Sequence, residues 1–156
     1  MNVADVPLGD DRLPAVFEVI RELRTHLSLE QFRDLYERAV PEGYRVAAVF
    51  DGDECRAAAG YRIATNLVSG KHLYVDDLVT GDAWRSHGYG RLLNKYLVEK
   101  ARNEGCGSIQ LDSGVHRGDA HRFYFRERYR ITSFHFGRYF GKAAPPAQPE
   151  PPKDPR

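Results

Sequence analysis

One segment in the middle of the chain constrains the fold more than any other. A β-branched and apolar run, Lys71–Thr80, leads into a loop with Gly88 and Gly90, and an amphipathic run over 91–103 follows. Glycines let a backbone turn tightly and approach a ligand closely. The free N–H groups of a helix start would converge there on one point, which suits a phosphate or a pyrophosphate. The segment therefore predicts a strand–loop–helix unit that binds an anion, and a turn without a ligand is the alternative.

Three kinds of phosphate-binding loop compete for this segment. A Walker A loop is excluded, because no Gly-Lys-Ser/Thr follows the glycines. A dinucleotide-binding fingerprint is weak, since Leu93 stands at its third glycine and no early βαβ unit precedes it, although Asp112 lies where the ribose-binding acid is expected. The third pattern, Arg-x-x-Gly-x-Gly after a strand, matches at Arg85, Gly88 and Gly90. We favour this third interpretation.

The rest of the chain alternates between helical and strand-like runs. Ser28 and Gln31 form a capping-box pattern at the start of the second helical run. Periodicity predicts helices over 11–26, 28–40, 91–103 and 120–128, and strands over 44–50, 55–63, 71–80, 108–112 and 129–139. This order of elements predicts a mixed α/β or α+β domain around one sheet, with the three strands before the glycine loop forming a meander.

Composition places the chain among globular proteins and excludes several functions. Hydrophobic residues make up 42% of the 156 residues, which is enough for one core. The net charge of +1 argues against a nucleic-acid partner recognised by charge alone. No apolar run approaches the roughly 20 residues of a membrane span, and the N-terminus lacks a signal-peptide pattern. The two cysteines form no disulfide framework, so we expect a cytoplasmic protein with no membrane partner.

The composition changes near residue 143. Six of the nine prolines lie in 145–155, a stretch without apolar periodicity. Such a composition predicts a disordered or polyproline-II tail. We therefore predict a folded domain over 1–142 and a proline-rich tail over 143–156, which is either passive or, by its PxxP spacing, a ligand for a peptide-binding module.

Two segments together resemble the GNAT superfamily of N-acetyltransferases. DDLVTGDAWRSHGYGRLL, residues 76–93, resembles that family's acetyl-CoA-binding motif. The A-x-x-F-Y run from Ala120 to Tyr124, followed by Tyr129-Arg130-Ile131, resembles its later helix and closing strand. The order and spacing of both segments agree with the family, as does the order of elements from residue 2 to about 140. The resemblance implies a single GNAT-like domain of the α+β (mixed α/β) class, with a central, mostly antiparallel, twisted sheet flanked by helices.

A closer resemblance and two departures lie in the second segment. GDAHRFYFRERYR, residues 118–130, also resembles the aminoalkylphosphonate and small-amine N-acetyltransferases. Arg117 and Arg128 stand where the family usually has Asn and Gly. A non-glycine residue at the second position must avoid positive φ or accept strain.

The resemblance implies roles for the residues of the first segment. Leu78 and Thr80 would pair with the pantetheine amides of acetyl-CoA, and the N–H near Leu78 or Val79 would polarise the thioester carbonyl. Such a preorganised N–H stabilises the oxyanion that forms when an amine attacks the thioester, so the acetyl group would pass directly to a primary amine. The pyrophosphate would be bound by the backbone N–H groups of Arg85, Ser86, His87, Gly88, Tyr89, Gly90 and Arg91.

Three side chains are candidates for proton transfer. The resemblance points to Tyr124 as the acid that protonates the departing CoA thiolate, since a phenol with a pKa near ~10 keeps its proton at neutral pH. Packing within the aromatic run 123–125 is the alternative. Asp76 and Asp77 are neighbours on a strand, so we expect them on opposite faces, one to accept the amine proton and the other structural. A salt-bridged pair without a catalytic role is the alternative, because an ordinary carboxylate is a poor acceptor.

The sequence gives less information about the acceptor. Five arginines crowd one short segment: Arg117, Arg122, Arg126, Arg128 and Arg130. They predict either a site for the CoA phosphates or an acidic substrate, or a solvated face. We expect a small-molecule primary amine with an anionic group as acceptor, and the resemblance is compatible with a homodimer.

Other interpretations of the chain stay open. No metal is expected, because the spacing of His116, Asp119 and His121 matches no strong zinc pattern. A non-catalytic acyl-CoA-binding or regulatory module on the same fold is one alternative to a small-molecule acetyltransferase. An acetyltransferase that acts on protein amines is the other.

Overall fold

In the computed structural model, which describes residues 1–140, five strands form one sheet in the order β1-β2-β3-β4-β5. Neighbouring strands are antiparallel, except that β4 and β5 are parallel. The strands are β1 (Asn2–Asp5), β2 (Tyr44–Asp51), β3 (Glu54–Asn66), β4 (Gly70–Thr80) and β5 (Ser108–Leu111). The helices are α1 (Leu13–Leu23), α2 (Leu29–Ala39), α3 (Tyr89–Asn103) and α4 (Gly118–Arg126). The predicted α+β fold with a mostly antiparallel sheet is confirmed.

Helices cover the sheet on both faces. Along β2, Val46, Ala48 and Phe50 pack against α1 and α2, whereas the alternate residues Ala47 and Val49 pack against α3. Because both faces are buried, the strand is a continuous apolar run rather than an alternating one. No helix of the described residues is long and apolar enough to cross a membrane.

The capping box predicted for the second helix is confirmed. The backbone N–H of Gln31 donates to the Ser28 hydroxyl at 3.1 Å, and the N–H of Ser28 donates to the Gln31 side chain at 2.9 Å. These two bonds satisfy backbone groups that a helix start otherwise leaves unpaired. They also fix the start of α2 one residue after the cap.

The two ends of the domain differ from the sequence prediction. Strand β1 was not predicted, because four residues are too few to show a period of two. The strand predicted over 129–139 is absent from the described residues. The turn after α4 fixes the start of that segment elsewhere: the N–H of Tyr129 donates to the carbonyl of Tyr124, and its hydroxyl donates to Asn94 at 2.7 Å. Tyr129 is thus bound by α4 and α3, not by β5. The predicted tail over 143–156 lies outside the described residues.

A bulge in β4 creates the feature that positions the site. Gly60 of β3 pairs with Asp77 and Tyr61 pairs with Val75, so Asp76 has no partner in β3. Strand β5 pairs with β4 from His72 to Val75 and, within the described residues, no further. Beyond the bulge, β4 therefore continues beside β3 alone, and its other edge is open.

Candidate active site

The open edge of β4 presents backbone hydrogen-bonding groups. The N–H of Gly81 donates to the carbonyl of Arg56 in β3 at 3.0 Å. In an antiparallel ladder, the backbone N–H and C=O groups of successive residues point to alternate edges of the strand. The backbone groups of Val79 therefore point to β3, and those of Leu78 and Thr80 point to the open edge. A ligand with amide groups can extend the sheet at these two residues.

The loop after β4 ends in a helix start that suits an anion. Helix α3 begins at Tyr89, directly after Gly88 with φ +86, so Tyr89 and Gly90 belong to the helix rather than to the predicted loop. No side chain of the described residues caps this helix, which leaves its first N–H groups free at the positive end of the dipole. A Cβ on Gly90 would lie 3.0 Å from the Thr80 hydroxyl, so a side chain would crowd this start. The segment is therefore a candidate anion site.

The charged side chains of this segment are paired with carboxylates. Arg85 lies 2.5 Å from Asp82, and Arg91 lies 3.7 Å from Glu127. Both arginines are largely exposed. Free backbone groups, more than these side chains, are therefore available to an anion at this candidate site.

The bulge turns the two aspartates to the same face of the sheet. Asp76 accepts a hydrogen bond from Arg62 at 3.0 Å, and Asp77 accepts one from Arg24 at 2.7 Å. Arg62 also lies over the ring of Tyr44, whose hydroxyl donates to Asp77 at 2.8 Å. All five residues thus form one cluster on the side of α1 and α2. The expectation of opposite faces is wrong, because two successive residues of a bulge oppose one residue of the partner strand.

The two carboxylates differ in their surroundings. Burial raises the pKa of Asp76 above its ordinary value, with the charge of Asp77 adding to the rise and the Arg62 guanidinium opposing it. The Asp76 side chain is 26% exposed and lines a cleft, whereas that of Asp77 is 12% exposed and bound by Arg24 and Tyr44. Asp76 is therefore the more accessible of the two carboxylates.

That cleft lies between the bulge and α4. Tyr124 lines it together with Asp76 and Leu78. Burial raises the pKa of the Tyr124 phenol, and the positive charge of Arg117 opposes the rise. The phenol therefore keeps its proton at neutral pH, while its ring packs edge-on against Phe123 and Tyr129. Other residues of the lining are Leu23, Arg24, Val75, Leu111, Asp112, Ser113, Gly114, Arg117 and Ala120.

The arginines of the segment 117–130 do not share one environment. Arg117 lines the cleft, and Arg122 is paired with Asp119 at 2.9 Å on the exposed side of α4. Arg128 adopts φ +68, so it takes the left-handed conformation that the family's usual glycine would accept without strain. Of this segment, only Arg117 lines the cleft within the described residues.

Sequence reasoning missed the residues that hold the bulge. Arg24, Tyr44 and Arg62 lie 53, 33 and 14 positions from the aspartates that they bind, so no local spacing marks them. One signal was present: Gly60 interrupts an apolar strand, and glycine in a strand marks a bulge or a close approach. A Cβ there would collide with the Tyr44 hydroxyl and would lie 2.6 Å from an Asp77 oxygen.

Comparisons with known proteins decide the family. The model that describes the Acetyltransferase (GNAT) family matches residues 13–128. The chain belongs to the GNAT family. This acetyltransferase is similar to the uncharacterized N-acetyltransferase YhdJ of Bacillus subtilis, with 38% identity over 109 residues, 69% of this chain and 77% of that protein. It is also similar to the aminoalkylphosphonate N-acetyltransferase of Salmonella typhimurium, with 36% identity over 62 residues, 40% of each protein.

Solved structures agree with the fold of this GNAT acetyltransferase. A putative acetyltransferase from Agrobacterium tumefaciens superposes with a TM-score of 0.77 at 21% identity, over 90% of this chain and 100% of that one. The aminoglycoside N-acetyltransferase AAC(6')-Iy, solved in complex with CoA, gives a TM-score of 0.79 at 10% identity, over 90% and 94%. The predicted family is confirmed, and the chain is an acetyl-CoA-dependent acyltransferase.

Proposed function

We propose that this enzyme passes the acetyl group of acetyl-CoA directly to the primary amine of a small molecule. One observation carries the proposal: a single cleft brings the Asp76 carboxylate and the Tyr124 phenol to Leu78 on the open edge of β4. A base, an acid and an N–H donor for an oxyanion are the groups that direct acetyl transfer needs.

Backbone groups would hold the cosubstrate. Leu78 and Thr80 face the open edge and would pair with the amides of the pantetheine arm. The pyrophosphate would lie at the start of α3, bound by N–H groups within 85–91. By the same alternation the backbone N–H of Val79 points to β3 and is not available to a ligand. We therefore assign the oxyanion contact to the N–H of Leu78.

Each step of the reaction has a group in the cleft. The amine nitrogen attacks the thioester carbon, the new C–N bond forms, and the electron pair moves to the oxygen beside the N–H of Leu78. When the pair returns, the C–S bond breaks, and the sulfur receives the proton of the Tyr124 phenol. Asp76 takes the proton released by the amine, directly or through water, and solvent then restores both groups. The raised pKa of Asp76 makes it a better acceptor than an ordinary carboxylate.

For the acceptor, we infer a small amine that carries an anionic group. Arg117 and Arg24 both line the cleft, and Arg24 is already paired with Asp77, so among residues 1–140 Arg117 is the cleft cation available to an anionic substituent. A guanidinium binds a phosphonate or carboxylate through paired hydrogen bonds. The similarity to an aminoalkylphosphonate N-acetyltransferase supports the same class. The homodimer and the cytoplasmic location stay predictions.

The test is CoA-thiol release from acetyl-CoA across a panel of amines. The panel contains an aminoalkylphosphonate, the matching aminoalkanol without the phosphonate, a polyamine, amino acids and a lysine peptide. We expect release with the aminoalkylphosphonate and much less with the matched aminoalkanol. Release with the lysine peptide alone would favour a protein acceptor. CoA binding without release for any amine would favour a non-catalytic binding module.

A further inference from the structure

Five side chains form a closed ring of contacts around the loop between β4 and α3. We name them the loop clasp: Asp51, Arg56, Trp84, His87 and Tyr89. Asp51 and Arg56 belong to the hairpin of β2 and β3, whereas the three aromatic side chains belong to the loop and to the start of α3. The ring thus joins the anion-binding segment to a rigid part of the sheet.

Arg56 is the most unusual member of the clasp. Its guanidinium carbon lies 3.5 Å from the ring centroid of Trp84, and its side chain is only 11% exposed. Nη1 lies 2.5 Å from a Glu54 oxygen, and Nη2 lies 3.8 Å from Asp51. Yet among residues 1–140 no acceptor makes an aligned hydrogen bond to Nε or Nη1. For a cation removed from water in this way, the indole face is an important partner, since cation–π attraction grows with desolvation.

The clasp fixes both ends of the loop. Trp84 precedes residues 85–88 and contacts His87 edge to face, with 6.3 Å between ring centroids. His87 stacks on Tyr89 at the same distance, and the Tyr89 hydroxyl lies 3.5 Å from an Asp51 oxygen. Asp51 closes the ring at Arg56. Both ends of residues 85–88 are therefore tied to one hairpin.

The loop needs such support because its backbone is strained. The strain lies at Ser86, which adopts φ +65. The left-handed conformation is unfavourable for serine, so it persists where surrounding contacts impose it. We propose that the clasp holds the loop in its anion-binding conformation before acetyl-CoA arrives, and that Arg56 and Trp84 are positioning residues for the cosubstrate. Binding then does not have to order the loop. This inference rests on the assignment of the loop to the pyrophosphate.

Trp84 is the single tryptophan of the chain, so its fluorescence reports on the clasp alone. The test compares Arg56→Met with Arg12→Met by acrylamide quenching without ligand and by calorimetric titration with CoA. Arg12 is a matched control, since its guanidinium also lies over an aromatic ring, that of Phe50 at 4.6 Å, and also pairs with a carboxylate. In Arg56→Met we expect stronger quenching, a Kd for CoA raised about tenfold, and kcat at saturating acetyl-CoA within about twofold. Arg12→Met should change none of these.

Two further variants separate the stack from the ion pair. Glu54→Gln removes the charge beside Arg56 and leaves the indole contact, so CoA affinity should stay near that of the unmodified chain. Trp84→Ala should weaken CoA binding as Arg56→Met does, and Trp84→Phe should restore most of the affinity. Unchanged quenching and affinity in Arg56→Met, or an equal loss in Arg12→Met, would overturn the clasp. If the unmodified chain binds no CoA, the proposed function fails, and the quenching comparison still decides whether Arg56 holds the loop.

Discussion

Gly60 offers the most quantitative test of the cluster that holds the β4 bulge. A Cβ at this position would collide with the Tyr44 hydroxyl and would lie 2.6 Å from the Asp77 carboxylate. Tyr44 is buried and its hydroxyl donates to Asp77 at 2.8 Å, so neither side chain can move without losing that bond. Overpacking costs about 1–3 kcal/mol, and a hydrogen bond to a charged group contributes about 1.5–3 kcal/mol. For Gly60→Ala we therefore expect the free energy of unfolding to fall by about 3 kcal/mol.

Urea and thermal unfolding measure this loss. For a domain of this size, about 3 kcal/mol corresponds to a Tm lower by about 6–12 °C. Gly9→Ala is the matched control, because nothing lies within 4 Å of a Cβ there; its change should stay within about 0.5 kcal/mol. In a Tyr44→Leu background the obstructing hydroxyl and outer ring are gone and only the contact with Asp77 remains, so Gly60→Ala should cost at least about 1 kcal/mol less than in the unmodified chain. Equal costs of Gly60→Ala in both backgrounds would refute the collision.

Three further predictions concern the reaction. Tyr124→Phe should lower kcat about 100-fold or more with little change in the KM for acetyl-CoA, as measured by steady-state kinetics, if the phenol supplies the proton to sulfur. Asp76 must be ionised to accept a proton and its pKa is raised, so kcat should fall as the pH drops through a value above the ordinary 3.8, and Asp76→Asn should remove this limb of the pH profile. Gly88→Val should weaken CoA binding about tenfold in calorimetric titration because of its φ of +86, not for lack of space, since nothing lies within 4 Å of a Cβ there.

Local patterns predicted most of the fold. Each correctly predicted feature depends on residues that are close together in the sequence, so a local pattern is enough to identify it. These features are the capping box at Ser28, the β-branched strands and the glycine loop. The strand predicted over 129–139 failed for a different reason. Alternation shows which side chains would share a face of a strand, but it does not show that a neighbouring strand is present to pair with. In the structure Tyr129 is instead bound by Tyr124 and Asn94.

The site was predictable only in part. The uncapped helix start after Gly88 follows from the glycine pattern in consecutive residues, and the backbone roles proposed there rest on the family resemblance. The shared face of Asp76 and Asp77 was not predictable, since one unpaired residue reverses the alternation that the prediction used. Nor could spacing reveal Arg24, which reaches Asp77 from another layer of the fold.

Intact-mass spectrometry, with CoA-thiol release followed in parallel, tests direct acetyl transfer most directly. The purified chain is incubated with acetyl-CoA first alone and then with an aminoalkylphosphonate. We predict that the mass of the protein stays unchanged throughout, that thiol release begins when the amine is added, and that one acetylated amine forms for each thiol released. An acetylated protein before the amine is added, or no release with any amine of the panel, would contradict direct transfer by this cleft.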